Sequence, residues 1–228
     1  ACGNVEALLK GKLIHFLIIH SGHVVDAILG NSLLDLYCKC GKLDDARSIF
    51  DRLQTRDVFS WGSLLTGFLR HDHWVTALGL FEGMCKDGVD PDQSTLLSLL
   101  KACGSVGDLD KGRKIHAQIS TKKGELERGL LVGCALIDMY GNCGSLPDAI
   151  SVFHNVGFPN NYSHNIMMKI YGAFGMPSNA KAMFGCIQNP DVCSWTTLMT
   201  AYGQNGFVNH AMDVFDSMPH RNVVSWTS

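Results

Sequence analysis

The sequence predicts an all-α fold, a right-handed superhelical solenoid of helix–turn–helix repeats with about six complete hairpins and partial ones at both ends. Three observations predict it. The stretch Ser32–Phe50, SLLDLYCKCGKLDDARSIF, returns 103 residues later as ALIDMYGNCGSLPDAISVF over Ala135–Phe153. A small residue recurs where two helices must cross closely, at Ala46, Ala77, Gly112, Ala149, Ala180 and Ala211, with spacings of 31, 35, 37, 31 and 31. Four residues beyond each lies Phe50, Phe81, His116, Phe153, Phe184 or Phe215. Finally, a helix break falls at Gly41, Gly107, Gly144, Gly175 and Gly206, with Asp72 in the equivalent place of the second hairpin.

The hairpin follows from local chemistry. Leu33, Leu34, Leu36 and Tyr37 give a short helix one apolar face, and Gly41 permits the positive φ that closes it. Leu43, Ala46, Ile49 and Phe50 then fall at three- and four-residue steps, the spacing of a second amphipathic helix. Two such helices cannot bury both faces alone, so they need neighbours of the same kind.

In chain order the units are a partial one at 1–26, then 27–57, 58–92, 93–129, 130–160, 161–191 and 192–222, with 223–228 opening another. Ala1–His15 (ACGNVEALLKGKLIH) aligns with Ala102–His116 (ACGSVGDLDKGRKIH), so the sequence is expected to open partway into a unit of a longer array. Trp61, Trp195 and Trp226 sit in the repeated phrases VFSWGS, VCSWTT and VVSWTS. In each unit the first helix is expected over about the third to thirteenth residue, and the second from near the seventeenth. Pro177 suits a second helix's start, where the missing N–H costs nothing, and Pro91, Pro159, Pro190 and Pro219 fall in connections.

Composition narrows the function. An apolar fraction of 46% supports a continuous core between hairpins, and a net charge of −2 gives no broad basic field. No apolar run approaches the roughly 18 residues of a membrane-spanning helix. The nine cysteines include no C-x-x-C pair, only Cys38-x-Cys40, so a structural zinc site lacks its usual spacing and no metal or cofactor is expected. The thiols read as buried and free, in a reducing compartment. No P-loop and no G-x-S-x-G occurs.

The phrases NSLLDLYCKCGKLDDARSIFD, VFSWGSLLTG and LLKACGSVGDLDKGRKIHAQI resemble the pentatricopeptide repeat family of land plants. Among its members they resemble the subclass in which 35-residue, longer and 31-residue motifs alternate. By that resemblance 58–92 is the standard motif, 1–26 and 93–129 are the longer type, and 27–57, 130–160, 161–191 and 192–222 the short type. Asp72 departs from the usual Gly, and the loop from Lys122 to Gly129 carries about two extra residues.

The resemblance implies sequence-specific binding of single-stranded RNA, one nucleotide per unit, as the target-recognition module of an organellar C-to-U editing factor in chloroplast or mitochondrion. Partners would be an organellar transcript and editing-complex proteins or a deaminase acting in trans, with no membrane. A deaminase needs H-x-E and P-C-x-x-C phrases; none of the ten His precedes a Glu by two residues and no P-C-x-x-C occurs, so this stretch is not expected to be an enzyme by itself. A helical scaffold for a protein partner, and an RNA-binding module of a splicing, cleavage or translation factor, are the alternatives.

The same resemblance places the base-selecting side chain at the fifth residue of each unit and its partner at the last. The pairs are Asn31 with Asp57, Gly62 with Asp92, Cys134 with Asn160, Asn165 with Asp191 and Thr196 with Asn222, while Leu97 and Thr227 are the fifth residues of 93–129 and of the final partial unit. Asn offers a donor and an acceptor and Asp accepts, so such a pair can satisfy a base edge and hold the Asn rotamer. The second residues, Ile28, Phe59, Ser94, Leu131, Tyr162 and Cys193, should flank the base by stacking or else pack between repeats. Lys39 and Arg70 share the thirteenth register and are the candidate phosphate contacts; Ser105, Asn142, Ala173 and Gln204 replace them later.

Overall fold

The computed structural model describes residues 9–17, 27–122, 129–157 and 159–219, and among these the regular structure is helical throughout. The chain divides into two compact units, Ala1–Ala102 and Cys103–Ser228. The first holds a helical stretch over 9–17, then the pairs Ala27–Lys39 with Leu43–Arg52 and Val58–Arg70 with Trp74–Lys86. The helix Gln93–Val106 runs from the first unit into the second, and Leu109–Lys122 follows it. Three further pairs complete the second unit: Leu130–Asn142 with Leu146–Asn155, Asn161–Ala173 with Pro177–Gly185, and Val192–Gln204 with Val208–Asp216. The loop beyond Lys122, the residues Asn222 and Thr227, and the opening of the partial unit at 1–26 lie outside the described residues.

Every second helix starts at the seventeenth residue of its unit, as the spacing predicts. Every first helix starts at the first residue, two earlier than expected. In four of them a cap is supplied by the residue just before, while Gly129 precedes Leu130–Asn142 without one. Asp57 accepts a hydrogen bond from the Ser60 N–H at 2.8 Å, and the Ser60 hydroxyl accepts one from the Asp57 N–H at 2.9 Å, which completes a capping box. Asn160 and Ser163 repeat it at 3.1 and 2.9 Å. Asp92 and Asp191 accept from the Thr95 and Ser194 N–H groups, each at 2.8 Å.

Each turn between paired helices closes the same way. The N–H of the sixteenth residue donates to the C=O of the eleventh, as from Lys42 to Tyr37 at 2.9 Å, from Ser145 to Tyr140 at 2.9 Å and from Met176 to Tyr171 at 2.8 Å. The residue between must be left-handed, and Gly41, Gly144 and Gly175 have φ of 69°, 80° and 74°. Asp72 takes the same conformation at φ 61°, since its short polar side chain tolerates that region better than most. His73 donates to Phe68 at 2.9 Å across it, so the turn survives the departure from Gly.

Hairpins then close on their neighbours through the recurring small and aromatic residues. Ala46, Ala77, Ala149 and Ala180 are completely buried at the helix crossings. Edge-on ring pairs join successive hairpins at one register: Phe50 with Trp61 at 4.5 Å, Phe153 with His164 at 5.3 Å and Phe184 with Trp195 at 4.7 Å between centroids. At the two junctions that follow the longer motifs a histidine replaces the Phe. There the ring nitrogens Nδ1 of His15 and His116 meet the hydroxyls of Tyr37 and Tyr140 at 3.1 and 2.7 Å.

Close approach of helices also fixes which glycines are replaceable. A Cβ at Gly172 would stand 2.8 Å from Ala201 Cβ and 3.0 Å from its Cα, whereas one at Gly79 would meet nothing within 4 Å. Gly172→Ala should therefore lower the thermal midpoint, at a cost of about 1–3 kcal/mol from overpacking. Gly79→Ala should raise it by the helix-propensity gain of about 0.5–1 kcal/mol. Thermal melts followed by circular dichroism check the two opposite signs.

Candidate nucleic-acid interface

The second residue of each hairpin decides whether that register packs between hairpins or faces outward. It faces outward. Ile28, Phe59, Leu131 and Tyr162 are 77%, 76%, 59% and 62% exposed, and Ser94 and Cys193 are exposed as well. A recurring apolar or aromatic side chain at the first turn of a helix, open to water, is an available stacking surface.

The fifth residue lies one turn further along the same helix. Asn165 is buried and Asn31 half-buried, and the Oδ1 atom of each is shielded from water with no hydrogen-bond partner among the described residues. A buried carbonyl oxygen left unpaired costs about 1–3 kcal/mol, so two at one register call for a donor from outside. The Asn165 amide donates to the Asp191 carboxylate, which fixes the side chain and turns Oδ1 the other way. The Ser194 N–H, and with it the Asn165 amide, holds the Asp191 carboxyl below its usual range.

The other fifth residues differ. Thr196 is buried and its hydroxyl donates to the Cys193 carbonyl at 3.1 Å, leaving its oxygen able to accept. Cys134 is only 2% exposed, so this thiol belongs to the core and is not presented at a surface as expected. Leu97 is half-buried, and Gly62 leaves open space, the nearest atom to a Cβ there being the Thr95 hydroxyl at 3.5 Å. Asp57, Asp92, Asn160 and Asp191 all remain exposed while one oxygen of each caps a helix.

These registers converge on grooves. In the first unit, Phe59, Gly62 and Asp92 line a cavity of about 230 Å³ together with Lys39 and Arg70. Lys39 is tied to Asp35 at 2.6 Å, and Arg70 makes no ion pair among the described residues. In the second unit, Tyr162, Asn165, Cys193 and Thr196 line a cleft of about 560 Å³. That cleft also contains Asp138 and Lys169, which pair at 3.2 Å and which the sequence reading did not single out. The available signal was the ninth register, where Asp35 and Asp138 recur.

Comparison with known proteins shows repeats of one family along the chain. The PPR repeat family profile matches residues 56–105, and the PPR repeat profile matches 31–58, 134–156, 162–189 and 193–223. The Arabidopsis thaliana pentatricopeptide repeat-containing protein At4g18520, chloroplastic, is 38% identical over 168 residues, covering 74% of this chain and 27% of the relative. Pentatricopeptide repeat-containing protein At2g13600 from the same plant is 34% identical over 160 residues, covering 70% of this chain and 23% of the relative. The chain thus spans less than a third of the length of these relatives. The crystal structure of the pentatricopeptide repeat protein PPR10 from maize superposes with a TM-score of 0.79 over 92% of this chain and 31% of that one. PPR10 in complex with an 18-nt psaJ RNA element does so with a TM-score of 0.70 over 95% of this chain and 34% of that one. At 21% identity these two likenesses establish the fold.

Two thiols border this surface, Cys38 in the first-unit groove and Cys193 in the second-unit cleft. Burial pushes Cys38 and Cys103 up to about 12 and Cys134 up to about 11, so all three are protonated at neutral pH. Because the thiolate is the nucleophile, they should react slowly, whereas Cys186 and Cys193 are exposed. Among the described residues no three His, Cys, Asp or Glu side chains are grouped to hold a metal ion. Brief alkylation of the folded protein, mapped by peptide mass, should modify Cys186 and Cys193 and spare Cys38, Cys103 and Cys134. Equal labelling of Cys103 and Cys186 would contradict the burial described.

Proposed function

The chain belongs to the pentatricopeptide repeat family, and on that premise we propose that it binds single-stranded RNA by sequence, one nucleotide per hairpin, as the target-recognition part of an organellar C-to-U editing factor. The RNA complex of PPR10 and the naming of several relatives as chloroplastic support this reading. The alternation of longer, standard and short motifs in the sequence supports placing the chain in the subclass described above, with the unit boundaries proposed there. A deaminase or other editing-complex protein would then act in trans or from another part of the protein.

One observation carries the reading. Asn31 and Asn165 stand at the same register, each with an unpaired buried carbonyl oxygen, and each follows an exposed apolar side chain one turn earlier, Ile28 and Tyr162. A base slid onto that side chain brings its edge to the oxygen. Uracil offers an N3–H donor there, which is the group an orphaned acceptor lacks. Asp191, already receiving the Asn165 amide, holds the rotamer that presents the oxygen. Thr196 with Asn222 suits adenine by family pattern. Gly62, Leu97 and Cys134 offer no comparable polar group, so those hairpins are permissive. With the N-terminus toward the 5′ end the preferred target is U-n-n-n-U-A.

The decisive test replaces Thr196 with Asn and Asn222 with Asp together and repeats a selection from randomised RNA. The sixth base should move from A to U, by about 1 kcal/mol or roughly fivefold, while the first and fifth stay U. No change there, or a change at another base, would overturn the register. A second measurement concerns the backbone. With few cations in the grooves, the log–log salt dependence should be no steeper than about −3, at roughly −0.7 per phosphate contact on single strands.

A further inference from the structure

The cleft of the second unit holds an ion pair that the base-reading scheme does not use. Lys169 lies one helical turn beyond Asn165 on the same helix face, and its Nζ reaches Asp138 Oδ1 of the preceding hairpin at 3.2 Å. We propose that Lys169 is a phosphate-contacting residue held by Asp138, so that RNA enters this cleft by exchanging the Asp138 carboxylate for a backbone phosphate. The inference rests on the RNA reading of the cleft and assigns to it a cation outside the thirteenth register.

Three features of the structure support the exchange. Both side chains are open to water, Lys169 at 62% and Asp138 at 42%, so the pair is weak and replaceable. The carboxylate does not lose all its partners when Lys169 leaves, because the Asn142 amide donates to Asp138 Oδ2 at 3.1 Å. Asn142 itself occupies the thirteenth register, where Lys39 and Arg70 stand in the first unit. The hairpin at 130–160 therefore lacks the backbone cation, and the next hairpin supplies one from its ninth residue. The first unit repeats the pattern by another route: Asp35, at the same ninth register as Asp138, holds Lys39 at 2.6 Å beside the groove with Gly62 and Asp92. In both grooves an aspartate at the ninth register pairs with a lysine.

The test compares the wild-type protein with Asp138→Asn, Lys169→Gln and the double variant, each binding a labelled U-n-n-n-U-A RNA across a salt series. Asn at 138 keeps an oxygen for the Asn142 amide, and thermal melts check that all four proteins are folded. Lys169→Gln should weaken binding and make the salt slope shallower by about 0.7. Asp138→Asn should tighten binding about two- to fivefold, and that gain should vanish when Lys169 is absent. An unchanged slope in Lys169→Gln overturns the phosphate contact. An equal gain with and without Lys169 overturns the restraint and leaves only general repulsion between Asp138 and RNA. Failure of the wild-type protein to bind any RNA overturns the RNA reading itself, and the exchange with it.

Discussion

A hairpin of two short amphipathic helices carries more apolar face than its own partners can cover, and everything else in this chain follows from closing that face onto the next hairpin. The closure uses two registers. Ala or Gly at the crossing lets the helices approach, and a ring four residues later meets a ring of the next hairpin edge-on, as Phe50 meets Trp61 and Phe184 meets Trp195. Once those two contacts are set, the remaining face of each first helix points away from the core at a fixed interval. The candidate recognition side chains inherit their spacing from the packing, and no loop has to be positioned to hold them.

The period was legible in the sequence because packing at a crossing tolerates few residue types. Ala46, Ala77, Ala149 and Ala180 announce the repeat, and the left-handed turn announces each hairpin, including the one where Asp72 replaces Gly. The helix starts were less legible. Asp57, Asp92, Asn160 and Asp191 were read for what they could offer a base, and their capping bonds move each start back by two residues. Both roles fit one side chain, because a carboxylate has two oxygens.

The site was legible where one residue type recurs at one register, as with Asn31 and Asn165, and illegible where partners come from different hairpins. The Asp138–Lys169 pair joins residues 31 apart whose register elsewhere holds Asp35, Thr66, Lys101 and Thr200, so the recurrence of Asp35 and Asp138 marks one partner and nothing marks the pairing. Cys134 shows the converse limit. It shares the register of the two asparagines, but a small, soft thiol is as content in the core as at a base edge, and here it is buried.

The caps have a consequence for how such an array can change its preference over time. At Asp57, Asp92, Asn160 and Asp191 the last residue of a hairpin accepts a hydrogen bond from the third N–H of the next helix, a task that Asp, Asn, Ser and Thr perform well and Ala or Val perform poorly. Substitutions at that position are therefore screened first for folding and only then for recognition. The last position here is Asp, Asn or, once, Gly at Gly129, whereas the fifth position, free of that duty, also holds Leu and Cys. Divergence in target choice should accordingly leave its widest traces at the fifth residue and its narrowest at the last.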